Sequence, residues 1–224
     1  MGIPGTKSYR VPPMISDEAH VVAPLTTASD KGCDEKAPKA TPEKSSIAED
    51  IRQEILPTPE NESVLARILH YQEGRSEIKG KESKCRTFEQ ALQEICNGQK
   101  KTHWIWYVWP TLRGSRQTTM PHLELPDFLC ARQYLRHPVL RERLLRITTA
   151  ASGQLRRGVA PETLFGAQHA YDAPKFHECA TVFVMSAKEE NDREALAVME
   201  QALGAISKGK PNPVILKLLG RGPV

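Results

Sequence analysis

Apolar residues recur at helical spacing through most of the chain beyond Asn61. Val64, Leu65, Ile68, Leu69 and Tyr71 form a stripe that Gly74 closes. Residues 75–84 are loaded with Lys and Glu and predict a polar loop. Thr87, with Gln90 three residues on, predicts a capping box opening a helix on Phe88, Ala91, Leu92 and Ile95, stopped by Gly98. Pro126-Asp127 introduces Phe128, Ala131, Tyr134 and Leu135. His137-Pro138 then breaks the chain, because the residue before proline is pushed out of the α region. It also opens a long helix on Leu140, Leu144, Ile147, Thr148, Ala151 and Leu155, since proline suits the first helical position. Pro161 starts a short turn ending in Phe165-Gly166. Asp192 caps Ala195, Leu196, Met199, Ala202, Leu203 and Ile206, and Asn212-Pro213 opens a last helix on Ile215, Leu218 and Leu219. Two stretches stay ambiguous: residues 102–109 alternate like a strand, and 181–185 are short and apolar.

The first 60 residues differ. Residues 1–45 are rich in Pro, Thr, Ser, Lys and Glu, with no sustained apolar period, and cannot bury enough surface to offset their ordering entropy. Ile47, Ile51 and Ile55 predict one weakly held helix, ended by Pro57 and Pro59. The expected fold is mainly α: a single compact domain of about six to seven helices over 61–220, behind a disordered, low-complexity extension over 1–60.

Composition refines this picture. Among 224 residues, 39% are hydrophobic and 26% charged, enough to build a core. No run approaches the 18 apolar residues of a membrane span. The N-terminus lacks the apolar stretch of a secretory signal, and Asp17 and Glu18 argue against a mitochondrial presequence. Five scattered cysteines are odd in number and make no disulfide framework, so a reduced, cytoplasmic setting is expected. Residues 1–60 carry 7 basic and 10 acidic side chains, and the remainder 24 and 17. A basic globular part therefore follows a mildly acidic extension and could touch phosphate groups, though a nucleic-acid partner is not expected. Met1-Gly2-Ile3-Pro4-Gly5-Thr6 fits a myristoylation pattern at Gly2, a lone anchor that would give only weak membrane association.

The densest chemistry lies in residues 98–110. All three tryptophans, Trp104, Trp106 and Trp109, fall within six residues, with Tyr107 among them and His103 just before. Three indoles on one element cannot all face one narrow core seam, so some aromatic surface should border a pocket or an interface. An extended segment puts Trp104 and Trp106 on one face, with His103, Tyr107 and Trp109 on the other. A helix groups His103, Trp106, Tyr107 and Pro110 instead.

This run, Thr102-His103-Trp104-Ile105-Trp106-Tyr107-Val108-Trp109-Pro110 behind Gly98 and Lys100, resembles the signature of an uncharacterised family, domain of unknown function 1810. The likeness continues through Ala131, Tyr134-Leu135, His137-Pro138-Val139-Leu140 and Arg143-Leu144. It includes Leu164-Phe165-Gly166, Asp172, Lys175, Thr181, Phe183 and the closing Gly209…Asn212-Pro213 and Leu216. Arg67, His70 and Gln72 loosely match its opening helix, so the likeness spans about 61–219. It implies a mainly α fold and no established activity; some members carry a calpastatin label. The chain departs from the pattern at Thr111, where glutamine is usual, and at Glu178-Cys179, near a common Ser-Ser pair. If those positions line a site in the family, the site here is altered.

The candidate ligand-binding set is His103, Trp104, Trp106, Tyr107, Pro110, Arg136, His137, Gly166, Asp172 and Lys175. It suits a small molecule, nucleotide or ADP-ribose-like in form, stacked on tryptophan with basic residues at its phosphates. Against this set stand plainer readings: His137 serving the helix end, Asp172 and Lys175 as a surface ion pair, and Lys100-Lys101 as a solvated basic edge. A different class of function is an interaction module anchored on the tryptophans, and a weaker alternative is single-stranded RNA binding. Neither paired Cys-x-x-Cys nor clustered histidines occur, so no metal and no cofactor are expected. No Gly-rich loop stands where a P-loop would, and Gly114-Ser115-Arg116 reads as a basic turn. Cys96 and Cys130 would need lowered pKa values to act as nucleophiles. Whether the chain is an enzyme is left open.

Overall fold

A computed structural model describes residues 58–78, 81–166 and 172–221. Gly2, the Ile47–Ile51–Ile55 pattern and the extension up to residue 57 lie outside the described residues. The fold is mainly α, with nine helices and one small hairpin among the described residues.

Helix α1 (Pro59–Gln72) is capped by Thr58, whose hydroxyl accepts from the Asn61 amide. Pro59, read from the sequence as a terminator, instead occupies the first helical turn, where its missing N–H costs nothing. The expected polar loop at 75–84 is a β-hairpin: β1 (Arg75–Ile78) pairs antiparallel with β2 (Lys81–Lys84), Arg75 opposite Lys84. Its charged composition, with Ile78 as its single β-branched residue, does not announce a strand. Gly74 feeds it with φ +85°, and a Cβ there would come within 2.9 Å of the Thr87 methyl.

Helix α2 (Phe88–Cys96) carries the full Thr87–Gln90 capping box. The ambiguous segment 102–109 is neither strand nor long helix but a single turn, α3 (Ile105–Val108). Helices α4 (Phe128–Arg136), α5 (Pro138–Arg156), the short α6 (Pro161–Leu164), α7 (Asp172–Glu190), α8 (Arg193–Ser207) and α9 (Pro213–Leu218) follow. Helix α7 is the centre: α4, α8 and α9 pack around it, while α5 bridges α8 to α2. From Glu178 to Ala187 every α7 position is buried. An all-round apolar helix shows no 3.6 period, which is why 181–185 gave no clear signal.

Asp192 ties α5 to α8. Its carboxylate accepts the Ala195 amide at 3.0 Å, capping α8, and receives Arg141 of α5 at 2.7 and 2.8 Å. The Arg141 hydrogen bonds, aided by the cap, hold this carboxyl below its ordinary range against burial. Such a group stabilises the fold at neutral pH and loses its contribution as pH falls through the folded pKa. Asp192→Ala should therefore cost about 1–3 kcal/mol in urea unfolding at pH 7, from the lost cap and charge-assisted bonds. The gap to wild type should narrow below about pH 4 as the carboxyl protonates.

Candidate functional site

The tryptophans divide by burial. Trp104 and Trp109 are sealed in the core, and Trp106 is half-buried at its edge. A single helical turn explains this split, because residues 104 and 109 flank α3 and turn back together, 5.5 Å between ring centroids. Trp109 also meets Phe176 edge-on at 4.7 Å and donates its indole N–H to Thr148 at 3.0 Å. Glu94 of α2 holds the other indole. One oxygen accepts the Trp104 Nε1–H at 2.7 Å and the Lys101 and Thr102 amides; the other accepts the Thr102 hydroxyl at 2.6 Å. Burial would raise this carboxyl, but the four donors outweigh it and leave the pKa below the ordinary value.

Trp106 is thereby presented beside a set of charges. Asp172, the first residue of α7, receives Lys100 Nζ at 2.7 Å on one oxygen and Lys175 Nζ at 3.1 Å on the other. Lys100 is only 2% exposed and Asp172 4%, so of the expected solvated edge only Lys101 is exposed, and the Asp172–Lys175 pair is buried, not at the surface. Lys175 Nζ stands 3.3 Å from the Trp106 ring centroid, a close cation–π contact, and Lys100 Nζ is 5.3 Å from that of Trp104. One turn further along α7, Glu178 takes the Arg116 guanidinium in a fork at 2.9 and 2.5 Å. Trp106, Arg116, Gln117, Thr118, Thr119 and Lys175 line a cavity of about 530 Å³.

Five charged groups are thus brought together, three cations and two anions. Arg116 and Glu178 neutralise each other, while two ammonium groups divide one carboxylate. Burial pulls the Lys175 pKa below its ordinary value; Asp172 opposes that, and Arg116 and Lys100 add to it.

The remaining sequence candidates scatter. Trp104, Tyr107 and Pro110 are buried, the Tyr107 hydroxyl donating to the Arg86 carbonyl at 2.8 Å. His103 is exposed and borders a separate concavity with Lys84, Cys85, Arg86 and Gln90. Arg136 pairs with Glu190 at the α4–α7 contact. His137 caps α5, its Nδ1 accepting from the Leu140 amide at 3.3 Å, as its plain reading had it. Gly166, at φ +83°, ends the stretch before the segment 167–171, which is outside the described residues.

Sequence reasoning missed Lys100, Arg116 and Glu178 as parts of one cluster. The available signal was Asp172, Lys175 and Glu178 at steps of three in the first turns of α7, which sets them along one face. Thr111 and Glu178, where a departure from the resembled pattern was expected, both lie close to Arg116 in the structure. Thr111 accepts from the Ser115 hydroxyl at 3.2 Å in the turn leading to Arg116, and Glu178 holds Arg116 itself. Burial disfavours the thiolate at three cysteines, pushing Cys85 and Cys179 up, and Cys130 up to about 12. Among the described residues no group of three or more His, Cys, Asp or Glu is placed to hold a metal.

A family model described as "Protein of unknown function (DUF1810)" matches residues 78–219, more than half of the chain. Helix α1 precedes that span. No curated protein matches the chain. Among solved structures, it is similar to the crystal structure of a conserved hypothetical protein from Mycobacterium tuberculosis, at 21% identity and a TM-score of 0.56, covering 71% of this chain and 98% of that one. At that identity the likeness concerns the fold alone.

Glu94→Ala should strand the buried Trp104 N–H and free the 101–104 backbone, lowering stability by about 2–3 kcal/mol. A change under about 0.5 kcal/mol in chemical unfolding would show that Glu94 does not anchor the segment.

Proposed function

Since this chain belongs to the DUF1810 family, which supplies no activity, we propose its function from its own geometry: the Trp106–Arg116–Lys175 cavity binds a small anionic molecule bearing a flat ring, nucleotide-like in form. The observation that carries this reading is the sharing of Asp172 by two lysines, one sealed beneath the site and one bordering it. A buried or half-buried excess cation is costly unless a counter-charge arrives. An entering phosphate or carboxylate supplies it. The half-buried Trp106 ring offers stacking area, and Gln117, Thr118 and Thr119 offer polar groups for orientation. The candidate set narrows accordingly: Trp106 and Lys175 face the ligand and Asp172 positions Lys175.

The reading disfavours the two alternatives. An interaction hot spot or a base-stacking platform needs several accessible rings, and Trp104 and Trp109 are both in the core.

Tryptophan fluorescence tests the proposal. Titration with anionic ring-bearing metabolites, nucleotides first, should quench emission in the wild type. In Trp106→Phe the quenching should vanish, because the two remaining indoles are buried. Lys175→Met should weaken affinity by about tenfold or more, about 1.4 kcal/mol. Affinity should fall with added salt. A flat response across the series would contradict the reading.

A further inference from the structure

The charge arrangement has a second way to relieve its excess: one of the two ammonium groups can give up its proton. Lys100 is sealed from the cavity, with its side chain 1% exposed, whereas Lys175 borders it. A lysine beside other cations and partly desolvated is the arrangement that yields a neutral, nucleophilic amine. The groups facing Lys175 are Asp172 and Glu178 on its own helix, Lys100 from the segment after α2, and Arg116 from the loop after α3; Glu178 is taken by Arg116. Asp172 therefore holds the amine in place while its charge is divided with Lys100.

We propose that Lys175 is a nucleophilic amine that condenses with the carbonyl group of a ligand in this cavity to form an imine. The preferred substrate class is an aldehyde or ketone that also carries an anionic group; only that preference rests on the binding reading above. The nitrogen lone pair forms the C–N bond and the carbonyl electrons pass to oxygen. That oxygen takes up both amine protons in turn and leaves as water while the C=N bond forms. No oxidant, reductant or net proton is consumed. Asp172 Oδ1, 3.1 Å from Nζ, is placed to relay the protons. Trp106, stacked against Nζ, keeps one side of the amine out of water.

The test uses the full chain and two readouts. Trace acetylation with acetic anhydride across pH 6–10, read by peptide mass spectrometry, should show Lys175 half-labelled at a lower pH than the exposed Lys101, Lys208 and Lys217. The reagent is uncharged, so this result does not depend on anion binding. Incubation with pyruvate and cyanoborohydride should then place a reduced adduct on Lys175 ahead of the other lysines, and Lys175→Arg should remove it. Lys175 labelling like the exposed lysines overturns the proposal, as does an adduct spread over many lysines or absent with both pyruvate and acetaldehyde. An adduct on Lys175 with acetaldehyde, not favoured by pyruvate, upholds the amine and overturns the anion-binding reading instead.

Discussion

The Asp172 carboxylate is the constraint on which the candidate site depends. It opens α7, the helix around which the domain packs, and it receives Lys100 from the segment leaving α2. A carboxylate in a first helical turn is favoured by the helix dipole, so the same group can start the helix and bind two cations. Its position fixes where Lys175 stands, one turn further on. Removing it would leave two ammonium groups facing each other with Arg116 nearby, which is why the cluster is better understood as one electrostatic unit than as separate pairs.

The aromatic core gives this unit its rigid backing. Trp104 and Trp109 fold onto each other, Trp109 also meets Phe165 and Phe176, and each indole N–H has a partner, Glu94 for Trp104 and Thr148 for Trp109. Four donors on Glu94 turn the chain so that Trp106 emerges at the core's edge. A flexible tryptophan would lose much of the cation–π contact with Lys175; one held by two buried neighbours in sequence keeps it. Packing thus becomes chemistry through the orientation of one ring.

Much of the fold was legible because its helices carry local punctuation. The Thr87–Gln90 box, Asp127, His137-Pro138, Asp192 and Asn212-Pro213 all sit at the helix starts they announce. The β1–β2 hairpin was not legible, since its Lys, Glu and Ser residues carry no strand pattern. Residues 102–109 misled for another reason: their aromatics answer to tertiary neighbours, not to any period. In the proposed site, Trp106 was suggested by the aromatic run, and Asp172 and Lys175 by the family likeness. Lys100 was misjudged because a lysine beside Lys101 looks solvated, and only Asp172, 72 positions later, buries it. Arg116 and Glu178 are 62 residues apart, and no local signal joins them.

While both are protonated, Lys100 and Lys175 leave positive charge at the cavity which the one Asp172 carboxylate does not balance. Thermal unfolding in increasing phosphate against chloride at matched ionic strength measures this directly, since a ligand bound to the folded state alone raises its stability. The wild type should gain more melting temperature from phosphate than Lys175→Met does, beyond the general salt effect common to both. Equal gains in the two proteins would contradict the account.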